Sequence, residues 1–324
     1  MLRRIAALGV AFAAAVVVPT ATGVTQAAGS TTVAMSTTEA TAYQEDAAHD
    51  GYQPGDSFTF PLAQSWQSPD LGGTLTYPVV TGGRVFVISN DPTTGSGYLW
   101  AFDVVSGAKL WGPLDVVDRG HATLAADAGR LFVENSLGFV RALDPATGAE
   151  LWGEQVRASD LSTIDPANNI TAANGAVYVN AWNGVVALDE TNGAERWRNF
   201  AGYFPFGPSS PAVTADGVYA SGVTKRDPAS GAVIWSTSVA GTGTVAVAGG
   251  RVFTHSPFDT GAQVDATTGS VLVPFNSAAG PAIDLTKVYW LDDAVVSAGD
   301  PQQLVATSLA SNTKHGRSPA TVSC

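Results

Sequence analysis

The chain has 324 residues, of which 16 are Lys or Arg and 28 are Asp or Glu, for a formal net charge of −12. Phosphate backbones and anionic lipid surfaces are held by clustered basic side chains, so this balance excludes a nucleic-acid or anionic-membrane binder. Charged residues are 14 % of the chain against 45 % hydrophobic, with 35 Gly and 18 Pro, a composition for many short strands joined by turns and not for a helical bundle.

In chain order, Arg3 and Arg4 precede an apolar run from Ile5 to Val18 and small residues through Ala28. This order predicts a secretory signal peptide over residues 1–28, cleaved near Ala27 or Ala28, and the arginine pair leaves general and twin-arginine export both open. The apolar run is too short for a membrane span, which needs roughly 20 residues, so no span is expected after cleavage and the product is expected outside the cell. Residues 29–56 carry few large apolar side chains and are expected to form a disordered lead-in.

From there one pattern recurs: an apolar stretch, Asp, three residues, Gly, three residues, Trp. It reads AFDVVSGAKLW through Asp103, Gly107 and Trp111, then ALDPATGAELW through Asp144, Gly148 and Trp152. It returns as ALDETNGAERW through Asp189, Gly193 and Trp197, as RDPASGAVIW through Asp227, Gly231 and Trp235, and in weaker form as VDATTGSVLV through Asp265 and Gly269. The aspartates are spaced by 41, 45, 38 and 38 residues, the period of a four-stranded propeller blade. Asp and Gly open and close a tight hairpin turn, and the Trp offers a flat surface to the next blade. An upstream hairpin in each unit, such as GGRVFVISN or AGRLFVEN, supplies the first two strands.

Residues 57–312 are thus expected to form a propeller with six units visible. The sixth unit spans residues 281–308 and lacks its Trp, while residues 58–66 end in Trp66 without inner strands of their own. The expected closure pairs residues 58–66 with the strand around 303–308, so that deleting 29–56 leaves stability unchanged. A truncated relative of a seven- or eight-bladed ring is the alternative. Residues 313–324 lack alternation and are expected to be an irregular tail.

The five Asp-x-x-x-Gly copies, four of them ending in Trp, resemble the pyrroloquinoline quinone (PQQ) enzyme repeat. The resemblance implies an all-β propeller of PQQ-like blades with tryptophan-docking contacts, in either quinoprotein dehydrogenases or non-catalytic relatives such as BamB. Quinoprotein dehydrogenases also carry a vicinal disulfide, which the single Cys324 cannot form, and a calcium-bound carboxylate cluster with no match here. No cofactor is therefore expected, and an enzyme is the weaker reading. His49, His121, His255 and His315 are too scattered for a zinc site, and each turn Asp is explained as a turn former, not a calcium ligand.

Any ligand site is expected on the face opposite the Asp–Gly turns. That face collects His121, Asn135, Trp182, Tyr203, Phe204 and His255, with Asn90 and Glu134 nearby. The expected function is an exported binding or scaffold module for a protein or cell-envelope partner; a quinone-dependent oxidoreductase, or another enzyme with a site at the channel mouth, is the competing class.

Overall fold

The computed structural model describes residues 39–51, 64–91, 93–117, 122–135, 138–156, 170–181, 184–200, 210–220, 223–237, 245–255, 261–275, 282–283, 287–292, 303–308 and 314–319. The expected signal peptide lies outside them. Among the described residues the fold is all-β, in six antiparallel sheets that form the blades of a propeller.

Blade 1 holds β1 (Thr74–Leu75), β2 (Val79–Thr81), β3 (Arg84–Asn90), β4 (Gly97–Asp103) and β5 (Lys109–Val117). Blade 2 holds β6 (Ala122–Asp127), β7 (Arg130–Asn135), β8 (Phe139–Leu143) and β9 (Glu150–Gln155). Blade 3 holds β10 (Ile170–Ala173), β11 (Ala176–Ala181), β12 (Gly184–Asp189) and β13 (Glu195–Phe200). Blade 4 holds β14 (Ala212–Thr214), β15 (Gly217–Ala220), β16 (Thr224–Arg226) and β17 (Val233–Ser236). Blade 5 holds β18 (Ala246–Ala248), β19 (Arg251–His255), β20 (Gly261–Asp265) and β21 (Val271–Phe275). Blade 6 holds β22 (Ala282–Ile283), β23 (Lys287–Asp292), β24 (Gln303–Ser308) and β25 (Lys314–Pro319). From blade 2 onward, strands pair in chain order.

Inner strands such as β7, β12 and β15 are buried on both faces, because each sheet is sandwiched between two others and has no wet side. Clusters of Val, Leu, Phe and Ala fill the gaps: Phe86 and Leu99 with Leu124 and Leu131 between blades 1 and 2, and Phe132 and Val140 with Ile170 and Val177 between blades 2 and 3. The fourth strands lie outermost; β17 is mostly exposed.

Three expectations are corrected. Residues 39–51 are not a disordered lead-in: Ala42 and His49 are buried, and the segment is bonded to several blades. The tail is not wholly irregular, because β25 pairs with β24 as a fourth strand; main-chain bonding to an edge needs no alternation of side chains. Finally, β25 takes the place assigned to residues 58–66 on β24. Of those residues, 58–63 lie outside the described ones, while Trp66 sits on the turn of blade 1, where its indole N–H donates to the Val104 carbonyl at 3.0 Å.

Candidate functional site

The repeat residues build one end of the blades. In every Asp turn the carboxylate accepts from its own loop: Asp103 from the Ser106 amide at 2.8 Å and hydroxyl at 2.7 Å, and Asp144 from the Ala146 amide at 2.7 Å. Asp227 takes the Ser230 amide and hydroxyl, each at 2.8 Å, and Asp265 the Thr268 amide at 2.8 Å and hydroxyl at 3.0 Å. Asp189 accepts from the Thr191 hydroxyl and pairs with Arg196 at 2.8 Å. These bonds hold the Asp103, Asp189, Asp227 and Asp265 carboxyls below the usual range.

Each Trp lies over the turn glycine of the following blade. Trp111 meets Gly148, Trp152 meets Gly193, Trp197 meets Gly231 and Trp235 meets Gly269, at positions where a Cβ would collide with the ring or press closely on it. The indole N–H groups donate to the carbonyls of Pro145, Glu190, Pro228 and Ala266 at 3.1, 3.0, 2.8 and 3.2 Å. Ion pairs run between blades as well: Arg130 meets Glu190 at 3.5 Å, and Lys225, paired with Asp216 at 2.7 Å, donates to the Ala266 carbonyl.

The opposite end was the expected ligand face. Of its six residues, His121, Trp182, Tyr203 and Phe204 lie outside the described residues, and His255 is described only as the last residue of β19. Asn135 is buried, and its side-chain carbonyl closes the loop to Phe139 by accepting that amide at 3.0 Å. Some buried polar atoms without a hydrogen-bond partner lie at or near this end, Asn90 Oδ1, both oxygens of Glu134 and Thr254 Oγ1 among them, while others, such as Glu190 Oε2 and Arg226 Nε, adjoin the Asp turns. Burial pushes the Glu134 carboxyl up to about 8, so it is mostly protonated at neutral pH.

The axial centre was missed by sequence reasoning. Residues 40–49 reach the first strands, or the residue leading into them, of five consecutive blades, so those strands converge on a common axis. Ala40 exchanges both main-chain bonds with Val80, and the carbonyls of Thr41, Ala47 and Ala48 accept from the amides of Ala126, Val213 and Val247. His49 is fully buried; Nδ1 bonds the Val245 carbonyl at 3.2 Å and Nε2 the Thr171 hydroxyl at 3.3 Å. Burial pulls its imidazole down to about 4, so the ring is neutral, donating from Nδ1 and accepting at Nε2. The Thr171–His49 pair has the atoms of a hydroxyl nucleophile and its base, but both side chains are sealed from solvent and Nδ1 meets a carbonyl instead of a carboxylate; it is a packing contact. The legible signal was slight: two alanines before a histidine in a polar stretch.

The outer rim differs between blades. The two residues before the Trp position are Lys109 and Leu110 in blade 1, Glu150 and Leu151 in blade 2, and Glu195 and Arg196 in blade 3. In blades 4 and 5 both are aliphatic, and Val233, Ile234, Val271 and Leu272 are 46, 51, 45 and 39 % exposed.

A family model described as outer membrane protein assembly factor BamB matches residues 20–221 and 220–311. The outer membrane protein assembly factor BamB of Yersinia pestis is 30 % identical over 148 residues, which cover 43 % of this chain and 36 % of that protein, little more than a third of its length. Among solved structures, BamB from Moraxella catarrhalis aligns at a TM-score of 0.52 and 18 % identity over 72 % of each chain. A europium-containing methanol dehydrogenase aligns at 0.54 and 13 % identity, over 87 % of this chain and 78 % of the other. At such identities the two structures speak to the fold alone, that of a β-propeller.

A quinone cofactor of the PQQ type carries several carboxylates and needs cationic or metal partners. The described residues do not fit it. Among them no group of three or more His, Cys, Asp or Glu could hold a metal ion. Residues 39–51, which line the axis, carry four acids and no Lys or Arg, their imidazole is neutral, and Glu134, which acts on Tyr77, has no hydrogen-bond partner.

Proposed function

The chain belongs to the PQQ-repeat family of the outer membrane protein assembly factor BamB, and from that premise we propose that it is a non-catalytic binding module of the cell envelope that docks a protein partner. Residues 1–28 serve as its export signal, the six blades from β1 to β25 as the propeller, and the Trp-on-Gly contacts as the docking that holds the blades together. The observation that carries the reading is the aliphatic rim of blades 4 and 5. Four large side chains stand exposed there at positions that are partly or wholly charged in blades 1 to 3. Blades 1 and 2 expose one such rim side chain each, Leu110 and Leu151, whereas blades 4 and 5 expose two each, and a local concentration of apolar side chains on an acidic protein marks a protein contact.

The test introduces Ile234→Glu and Leu272→Glu together, with Arg196→Glu on the blade 3 rim as control. A photo-crosslinker at position 233, beside the substituted residues, should capture a discrete envelope protein, and the double variant should reduce that capture at least tenfold with its melting temperature unchanged. Undiminished capture by the double variant, or equal capture from position 196, sinks the reading.

A further inference from the structure

The N-terminal contacts describe a binding site with its ligand already in place. Thr41 and Glu45 close a tight turn, the Thr41 amide donating to the Glu45 carbonyl at 2.7 Å and the Glu45 amide to the Ala42 carbonyl at 3.1 Å. The chain then returns, and the Gly51 amide donates to the Gln44 carbonyl at 3.1 Å. The result is a self-bonded hook from which five main-chain bonds run outward to four blades. Ala40 meets Val80 at 2.9 and 2.7 Å, Thr41 meets Ala126 at 2.7 Å, Ala47 meets Val213 at 2.6 Å and Ala48 meets Val247 at 2.9 Å.

Side-chain size is constrained at the same points. Ala47 packs on the cluster of Val213, Val218 and Tyr178 between blades 3 and 4, and Ala48 on that of Ala212, Val245 and Val247 between blades 4 and 5. Both alanines are partly buried at the edges of those clusters, so a larger side chain would press on them. His49 enters as a polar anchor, held from two blades by the Val245 carbonyl and the Thr171 hydroxyl, and the Glu39 carboxylate accepts from the Gly82 amide at 3.1 Å. Tyr43 lies edge-on to His49 and to Tyr77, with ring centroids 5.8 and 5.7 Å apart.

We propose that the axial centre of the propeller is a peptide-binding site that reads main chain, small side chains and one imidazole, and that residues 39–51 are its ligand in cis. First strands in a propeller present a free main-chain edge, which binds a segment through its backbone, while pockets for particular side chains supply selectivity. The class of ligand is a short turn-forming peptide with alanines before a histidine. This goes beyond partner docking on the rim and does not depend on it.

The experiment uses the full chain with a protease site inserted between Gly51 and Gln64, cleaved after folding. The released segment should stay with the propeller through gel filtration and exchange slowly with a dye-labelled synthetic peptide of residues 36–51. The uncut chain should not bind that peptide, because its site is filled. Peptides carrying Ala40→Pro, which removes one donor, or His49→Ala, which removes the anchor, should each compete about tenfold more weakly. Immediate loss of the segment, equal competition by all three peptides, or equal binding by the uncut chain would each overturn the proposal.

Discussion

Replacing Gly231 by Ala probes the contact between blades 3 and 4 without removing any atom. Gly231 has φ of +70° and Gly129 has φ of +73°, so an Ala at either site suffers the left-handed backbone cost of about 1 to 2 kcal/mol. For an added Cβ the two sites differ in what it would meet. At Gly129 nothing lies within 4 Å, whereas at Gly231 it would collide with Trp197 Cε3 and lie 2.6 Å from Cδ2. The indole must therefore retreat by about 1 Å, and such a gap forfeits about a quarter to a half of its contact energy. Removing a buried Trp costs about 3 to 5 kcal/mol, so the retreat adds roughly 1 to 2 kcal/mol to the backbone cost. Urea denaturation followed by circular dichroism should rank Gly231→Ala below Gly129→Ala by that amount. In a Trp197→Ala background the difference should vanish, since the ring it displaces is gone. Equal losses for the two single variants, or strict additivity in the double variant, would refute the argument that the ring holds the blades together.

Other expectations follow from the buried titratable groups and from the cofactor question. Burial raises Glu134 from 4.5 to about 8, so the folded state keeps a proton that the unfolded state releases, and stability falls as pH rises through that window. Glu134→Gln should match the parent at pH 4.5 and exceed it by about 3 kcal/mol at pH 7; no gain at pH 7 contradicts the assignment. His49 is lowered from 6.5 to about 4, so the unfolded state binds the extra proton and stability drops by about 3 kcal/mol as pH falls from 6.5 to 4. His49→Gln should flatten that acid limb, and an unchanged limb shows that the ring is not sealed. Adding PQQ with calcium should leave the melting temperature unmoved, and a rise of several degrees would restore an enzyme reading.

What could be read from the sequence was the chemistry that is local. An Asp followed by Ser or Thr and a Gly makes its turn within a few residues, so AFDVVSG and RDPASG announce themselves, and the Trp that follows marks the outer strand. The pairing of residues 58–66 with β24 was misplaced for the complementary reason: which segment fills a strand edge is decided between distant parts of the chain, whereas Trp66 rests on the blade that follows it as the other tryptophans do. Residues 39–51 escaped because their bonds use main chain, and an alanine packed in a core looks like any alanine in a linker. Glu134 occupies a strand position held by Ile88 in blade 1, Asn180 in blade 3 and His255 in blade 5, so its polarity read as one more exposed strand end. Burial between two sheets is decided by both neighbours, and a single strand does not record it.

The axial hook also sets an order of events. Its donors and acceptors lie between Val80 and Val247, and its farthest described bond joins the Ala48 carbonyl to the Val247 amide, 199 residues away. Contacts at such separation form late, because the loop between them must first be ordered. Residues 39–51 leave the ribosome before the blades they bind and are thus the last to reach their places. Until blade 5 has been delivered, the inner strands of the earlier blades stand uncovered, and that interval is when the nascent chain is most exposed to mispairing with other copies.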